Sequence, residues 1–202
     1  AGTPARRREL RAQGRKTMRR LSDAGMRVFA ARGYHQSRVD DIVRSARTSH
    51  GTFYLYFANK EDLLRSLAVD CAGEMEQLAG RIGPIDETDS GLAALREFLA
   101  GFVGTYRRYG VVIRAWMEDQ VSDREVDRLG VQAFTRIATT LAARMEASGG
   151  APAVDTATSV AALMALLERF SYAVASRDLG FDDDEMLSSL ALVVHRGFFA
   201  AG

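Results

Sequence analysis

The stretch "SHGTFYLYF" (49–57) carries four aromatic rings in nine residues. At about 100° per residue, Phe53 and Phe57 fall on one side of a helix, while Thr52, Tyr54 and Tyr56 point elsewhere with hydroxyls. One face can pack, and the other can hydrogen-bond to something outside the fold.

The flanking sequence supplies the packing partners. "RKTMRRLSDAGMRVFAARGY" (15–34) sets Met18, Leu21, Gly25, Val28 and Phe29 along one helical stripe and stops at Gly33. "SRVDDIVRSA" (37–46) reads as a second helix, capped by Ser37 with Asp40 three residues on, and apolar at Val39, Ile42, Val43 and Ala46. Phe53 and Phe57 are expected to face Leu21, Val28, Ile42 and Val43 in a three-helix core. Three short helices joined by tight turns predict a helix-turn-helix head. Its turn, at Arg47 and Thr48, has no glycine, so a left-handed Arg47 would add strain on the order of 1 kcal/mol.

Charge divides the chain at the same place. Residues 1–60 hold 14 Lys and Arg against 4 Asp and Glu, a balance of +10, whereas residues 61–202 hold 13 against 22, a balance of −9. Within the head, "ARRRELRAQGRKTMRR" (5–20) has eight basic residues and one Glu. This run is either an anion-binding arm or a solvated tail. The 202 residues are 47% hydrophobic and 26% charged, enough to bury a sizeable core. No apolar run approaches the roughly 18 residues that cross a bilayer, and the first twenty residues are charged where a secretory signal is apolar, so a cytoplasmic protein is expected. Cys71, the single cysteine, excludes an internal disulfide and a thiolate metal cage.

Beyond the head the pattern stays helical. A fourth helix, opened by Asn59 with Asp62 at its third position, carries Leu63, Leu64, Leu67, Cys71, Met75 and Leu78 and can join head to body. After the loop "GPIDETDSG" (83–91), helices are predicted near 91–107, 111–119, 123–147, 154–177 and 183–199. The fold class is therefore all-α, with about nine helices, and the acidic run Asp182–Glu185 suits a helix start better than a metal site. His35, His50 and His195 are scattered, and there is no phosphate-binding glycine loop or nucleophile elbow. The reading is of a non-enzyme that needs no cofactor.

"SRVDDIVRSARTSHGTFYLYFANKEDLL" (37–64) resembles the DNA-binding signature of the TetR family of transcriptional regulators, departing from it where Arg47-Thr48 replaces the usual Gly-Val. The resemblance implies an N-terminal DNA-binding domain over 1–58, with the motif at about 38–57, and a regulatory and dimerisation domain over 59–202. It places Tyr54 and Lys60 on the DNA backbone. Ser37, Arg38, Ser49, His50, Gly51, Thr52, Leu55 and Tyr56 complete the expected contacts. Ser49 suits phosphate, Gly51 permits close approach, and Arg38 can reach a guanine or a phosphate.

The body supplies Phe98, Phe102, Tyr106, Trp116, Met117, Phe134, Met164, Leu167 and Phe170, which either fill a core or line the ligand pocket that the resemblance implies. A small, mostly apolar ligand is expected. The last two helices are apolar at Val160, Leu163, Met164, Leu167, Phe170 and Val174, and at Met186, Leu190, Val193, Val194 and Phe198. The resemblance implies that they pair two copies in a four-helix bundle, with Ala161, Ser171, Ala175 and Ala191 allowing close approach. The expected function is that of a homodimeric repressor on a pseudo-palindromic duplex, released by the ligand. An activator with the same head is the alternative within the family, and a basic-armed RNA- or membrane-surface-binding module the alternative outside it.

Overall fold

The computed structural model describes residues 12–117, 123–148, 155–176, 180 and 182–199. Eight helices are present among them: α1 (Ala12–Arg32), α2 (Val39–Ser45), α3 (His50–Tyr56), α4 (Lys60–Gly80), α5 (Asp89–Met117), α6 (Arg124–Ala147), α7 (Thr156–Ser176) and α8 (Asp183–Phe198). The all-α expectation holds. The count differs because the expected helices 91–107 and 111–119 run together as α5, with a kink where Tyr109 leaves helical geometry (φ −116°, ψ 19°). The first eleven residues, the 118–122 segment and most of the two loops expected before α7 and α8 lie outside the described residues.

The chain forms two compact units. The first comprises residues up to Cys71 together with Val111–Leu129. Its core holds Leu21, Phe29, Ile42, Phe53, Phe57, Leu63, Leu64 and Leu67, all at most 2% exposed. The rings of Phe53 in α3 and Phe57 just beyond it pack on each other with centroids 5.6 Å apart. Gly25 lets α1 and α4 approach closely, since a Cβ there would meet Leu63 Cδ2 at 2.6 Å. α1 stops at Gly33, whose φ of +76° suits a residue without a side chain.

Two local expectations are decided by hydrogen bonds. α2 is capped by Arg38 rather than Ser37, with Asp41 rather than Asp40 as the residue whose carboxylate accepts from the cap N–H, at 3.2 Å. Ser37 is diverted because its buried hydroxyl donates to the carbonyls of Gly33 (2.7 Å) and Val28 (3.3 Å) at the end of α1. α4 starts as expected, with Asn59 Oδ1 accepting from Asp62 N and the Asp62 carboxylate accepting from Ala58 N. Arg47 is left-handed, with φ of +49°, the one non-glycine residue with positive φ among the described residues.

The second unit comprises Ala72–Gly110 and the chain from Gly130 on. Leu95, Leu99, Phe102, Tyr106, Ile137, Leu141, Leu163, Leu167, Val194 and Phe199 are among its most buried large side chains. The loop after α4 is held by Arg144, which donates twice to the Ile82 carbonyl (2.9 and 3.2 Å), and by His195 Nε2, 2.6 Å from the Asp86 carbonyl. Arg96 and Arg107 of α5 pair with Asp184 and Asp183, while Asp182 caps α8 by accepting from the N–H groups of Asp184 and Glu185.

Thr156–Ala175 in α7 corrects the expectation that no run approaches membrane-spanning length. By length and composition it is long enough, with mean hydropathy 1.2, and one third of the window is buried. Its buried positions, Ser159, Val160, Leu163, Leu167, Glu168 and Ser171, follow helical spacing, as the inward stripe of an amphipathic helix does. Ser171 and Ala191, expected at an outer pairing surface, are each 1% exposed inside their own unit.

Candidate functional site

α3 separates its residues as the 100° step requires. Phe53 and Phe57 are fully buried, whereas Tyr54 is 53% and Leu55 64% exposed. Thr52 and Tyr56 are half-buried, and Ser49, His50 and Gly51 are exposed. The packed face anchors the helix, and the outward face carries a phenol, an isopropyl group and a ring of polar groups around the helix start. Ser49 caps α3: its Oγ accepts from Thr52 N at 3.1 Å and lies 3.0 Å from Thr52 Oγ1. A Cβ at Gly51 would touch nothing nearer than Ser49 Oγ at 3.8 Å, so the space outside this residue is open.

Charged neighbours surround this face. His50 Nε2 lies 2.5 Å from Asp40 Oδ1, tying the start of α3 to α2. Beside it, an open cleft of about 640 Å³ is lined by Arg32, Gln36, Arg38, Asp40, Asp41 and Arg44. Asp41 accepts ion pairs from both Arg32 (3.2 Å) and Arg44 (3.5 Å). Arg32, Gln36 and Arg44 were not among the residues expected from sequence; the spacing of Arg32, Arg38 and Arg44 across the α1–α2 turn is the signal that could have found them.

Two expected contacts are placed differently. Ser37 is 2% exposed with its hydroxyl committed to α1, so it offers nothing to an outside phosphate. Lys60 turns inward: its Nζ donates to the carbonyls of Tyr34 (3.1 Å), His35 (3.2 Å) and Ser37 (3.2 Å), and sits 4.6 Å from the centre of the Tyr34 ring. The ammonium thus gathers three carbonyls of the α1–α2 turn, of which that of Tyr34 also accepts from Ser37 N at 3.3 Å. Burial, reinforced by the charge of Glu61, pushes the Tyr34 phenol well above its ordinary range. Also in this unit, Arg65 Nε donates to Asp123 Oδ2 at 2.9 Å. Burial pushes the Asp123 carboxyl up, but that hydrogen bond and the N–H groups of Val126 and Glu125 outweigh it and hold it below the usual carboxylate range.

The expected ligand residues divide between the units. Phe98, Phe102, Tyr106 and Leu167 are buried in the second, with Phe134, Met164 and Phe170 half-buried there. Trp116, half-buried, and Met117, the last residue of α5, belong to the first. Sequence reasoning missed Glu168, a carboxylate 8% exposed whose Oε1 accepts from the Tyr106 hydroxyl at 3.1 Å. A lone acid inside an apolar stripe was the available signal. Among the described residues no group of three or more His, Cys, Asp or Glu is placed to hold a metal ion.

Residues 21–67 match the family model described as bacterial regulatory proteins, tetR family. The fatty acid metabolism regulator protein of Bacillus subtilis is 45% identical over 62 residues, 31% of this chain and 32% of the relative. The putative mycofactocin biosynthesis transcriptional regulator MftR of Mycobacterium tuberculosis is 33% identical over 86 residues, covering 43% and 42% of the two chains. The match thus spans about a third of the length of the first of these relatives. A tetR-family regulatory protein from Rhodococcus RHA1 shares the fold over 93% of this chain and 99% of its own, with a TM-score of 0.73 at 16% identity. The regulator FadR of Bacillus subtilis, solved in complex with stearoyl-CoA, covers 91% and 98% with a TM-score of 0.65 at 20% identity. With the all-α fold, the α2–turn–α3 head and the family model in agreement, residues 21–67 form a helix-turn-helix domain of the tetR family of bacterial regulatory proteins.

Proposed function

We propose that the protein is a homodimeric transcriptional repressor that binds a pseudo-palindromic DNA duplex and is released by a small, mostly apolar ligand, acting in the cytoplasm where that DNA lies. The observation that carries this reading is the division of α3. Phe53 and Phe57 are sunk in the head, while Tyr54 and Leu55 stand exposed, and His50 at the helix start is tied to Asp40 of the arginine-lined cleft. A short helix held by its own aromatic anchors, with an outward polar face and a basic margin, suits insertion into a major groove. Ser49, His50, Gly51, Thr52 and Tyr56 lie around that face, and Arg38 and Arg44 in the adjoining cleft are assigned to phosphates. The DNA-binding domain is taken as 1–58 and the regulatory domain as 59–202.

Pairing through α7 and α8 is supported by the apolar side chains they leave outside: Leu166 at 36%, Leu192 at 38% and Val193 at 62% exposed. Two heads related by a two-fold axis require symmetric half-sites. An apolar ligand is supported by the aromatic and aliphatic interior around Phe98, Phe102 and Leu167 and by the names of the relatives, which include fatty acid regulators. Selection of bound fragments from the source genome, followed by sequencing, tests the reading. It should return an inverted repeat, bound by a species of twice 22.1 kDa. A clean monomer, or fragments with no shared sequence, would overturn it. Expression of the adjoining genes then separates repressor from activator.

A further inference from the structure

The second unit keeps a polar island in a hydrocarbon core. Glu168 on α7 is 8% exposed, and Tyr106 on α5, which donates to it, is 1% exposed. Nearly one helical turn on, Ser171 is 1% exposed, and its Oγ is buried without a hydrogen-bond partner. Oε2 of Glu168 lies 3.7 Å from Arg169 Nη2, but that side chain is 73% exposed and lies over the Tyr172 ring, so solvent screens the pair.

This arrangement is costly as mere packing. A carboxylate withdrawn from water needs a close, similarly buried counter-charge or several donors, and here one phenol serves an acceptor with room for more. A buried hydroxyl without a partner carries a further penalty. Apolar residues of the same size would fill the space better. Glu168 and Ser171 are two acceptors three residues apart on the inward face of one helix, in the unit whose core also holds Phe98, Phe102 and Leu167, and together they suit a ligand that brings a donor.

We infer that Tyr106, Glu168 and Ser171 form the polar end of the ligand site and that the ligand is an organic cation, an amine carried on an apolar chain or ring. The ammonium sits between the Glu168 carboxylate and Ser171 Oγ, and the apolar part lies among the aliphatic and aromatic side chains of the same unit. This rests on the ligand-release reading above and sharpens it, because a fatty acid carboxylate would be repelled by Glu168.

Calorimetric titration of the full chain with octylamine, octanol and octanoate compares one apolar tail under three head groups. Octylamine should bind about tenfold tighter than octanol, with octanoate weakest, and Glu168→Gln should erase that preference. Ser171→Ala provides a second variant that removes only an unpartnered hydroxyl. It should melt no lower than the parent yet bind octylamine more weakly. Octanol or octanoate binding as tightly as octylamine, no binding of octylamine, or both variants binding it like the parent would overturn the inference. DNA binding by the ligand-free parent is measured alongside: a parent that binds DNA but not octylamine removes only the cation assignment, whereas a parent that binds no DNA removes the regulator reading.

Discussion

Replacing Lys60 with methionine separates two roles for this side chain. Methionine keeps the unbranched stem and removes the ammonium, which donates to the Tyr34, His35 and Ser37 carbonyls at 3.1–3.2 Å and lies 4.6 Å from the Tyr34 ring centre. A hydrogen bond from a charged donor is worth roughly 1.5–3 kcal/mol, but three on one half-buried group do not add, because water reaches part of the site. A loss of about 2–4 kcal/mol is therefore expected, as the turn between α1 and α2 loses the centre that gathers its carbonyls. Urea unfolding measures the loss directly. Titration of a selected operator at several salt concentrations, with the variant kept well below its midpoint, measures the other role. A phosphate contact would reduce the slope of log K against log salt by about 0.9, and an inward clamp would leave it unchanged. A variant as stable as the parent with a shallower salt slope would refute the clamp.

Three further substitutions address the head and its neighbours. Arg47→Gly should stabilise the protein by about 0.5–1 kcal/mol, because relief of a left-handed residue exceeds glycine's greater freedom in the unfolded chain, and a lower urea midpoint would contradict this. Phe53→Ala empties a fully buried ring position and should cost about 3–5 kcal/mol, with DNA binding and melting temperature falling together. The depressed Asp123 carboxyl contributes stability that is present above its unfolded value near 4 and is lost as pH falls through the lower folded value. Asp123→Asn should therefore be less stable than the parent at pH 7, with the gap closing as pH falls below the unfolded carboxyl value, and a gap independent of pH would count against the Arg65 link.

The parts legible in the sequence were those governed by local chemistry. The 100° step sorted Phe53 and Phe57 from Tyr54, and the residue at which a left-handed backbone was weighed, Arg47, is the one that adopts it among the described non-glycine residues. Long-range partners were not legible. Ser37 had the composition of a cap, but the carbonyls of Val28 and Gly33 claim its hydroxyl, which moves the start of α2 by one residue. Lys60 showed its charge without showing which oxygens it would meet. The gap expected between helices 91–107 and 111–119 falls at Tyr109, where the backbone leaves helical geometry, yet the helix resumes directly beyond it, so one kinked helix replaced two. In the body, a list of large apolar residues could not tell core from pocket, and Glu168 was passed over because one acid does not disturb a strongly apolar stripe.

The central claim is that the outward face of α3 meets DNA while its inward face only packs. The affinity of Tyr54→Phe for a selected operator, read beside its melting temperature, tests this most directly. The phenol is 53% exposed, and the substitution keeps the ring while deleting one hydroxyl. The account predicts an unchanged melting temperature and an affinity lower by on the order of 1 kcal/mol, about fivefold. A variant that binds the operator as tightly as the parent, or that melts many degrees lower, would contradict it.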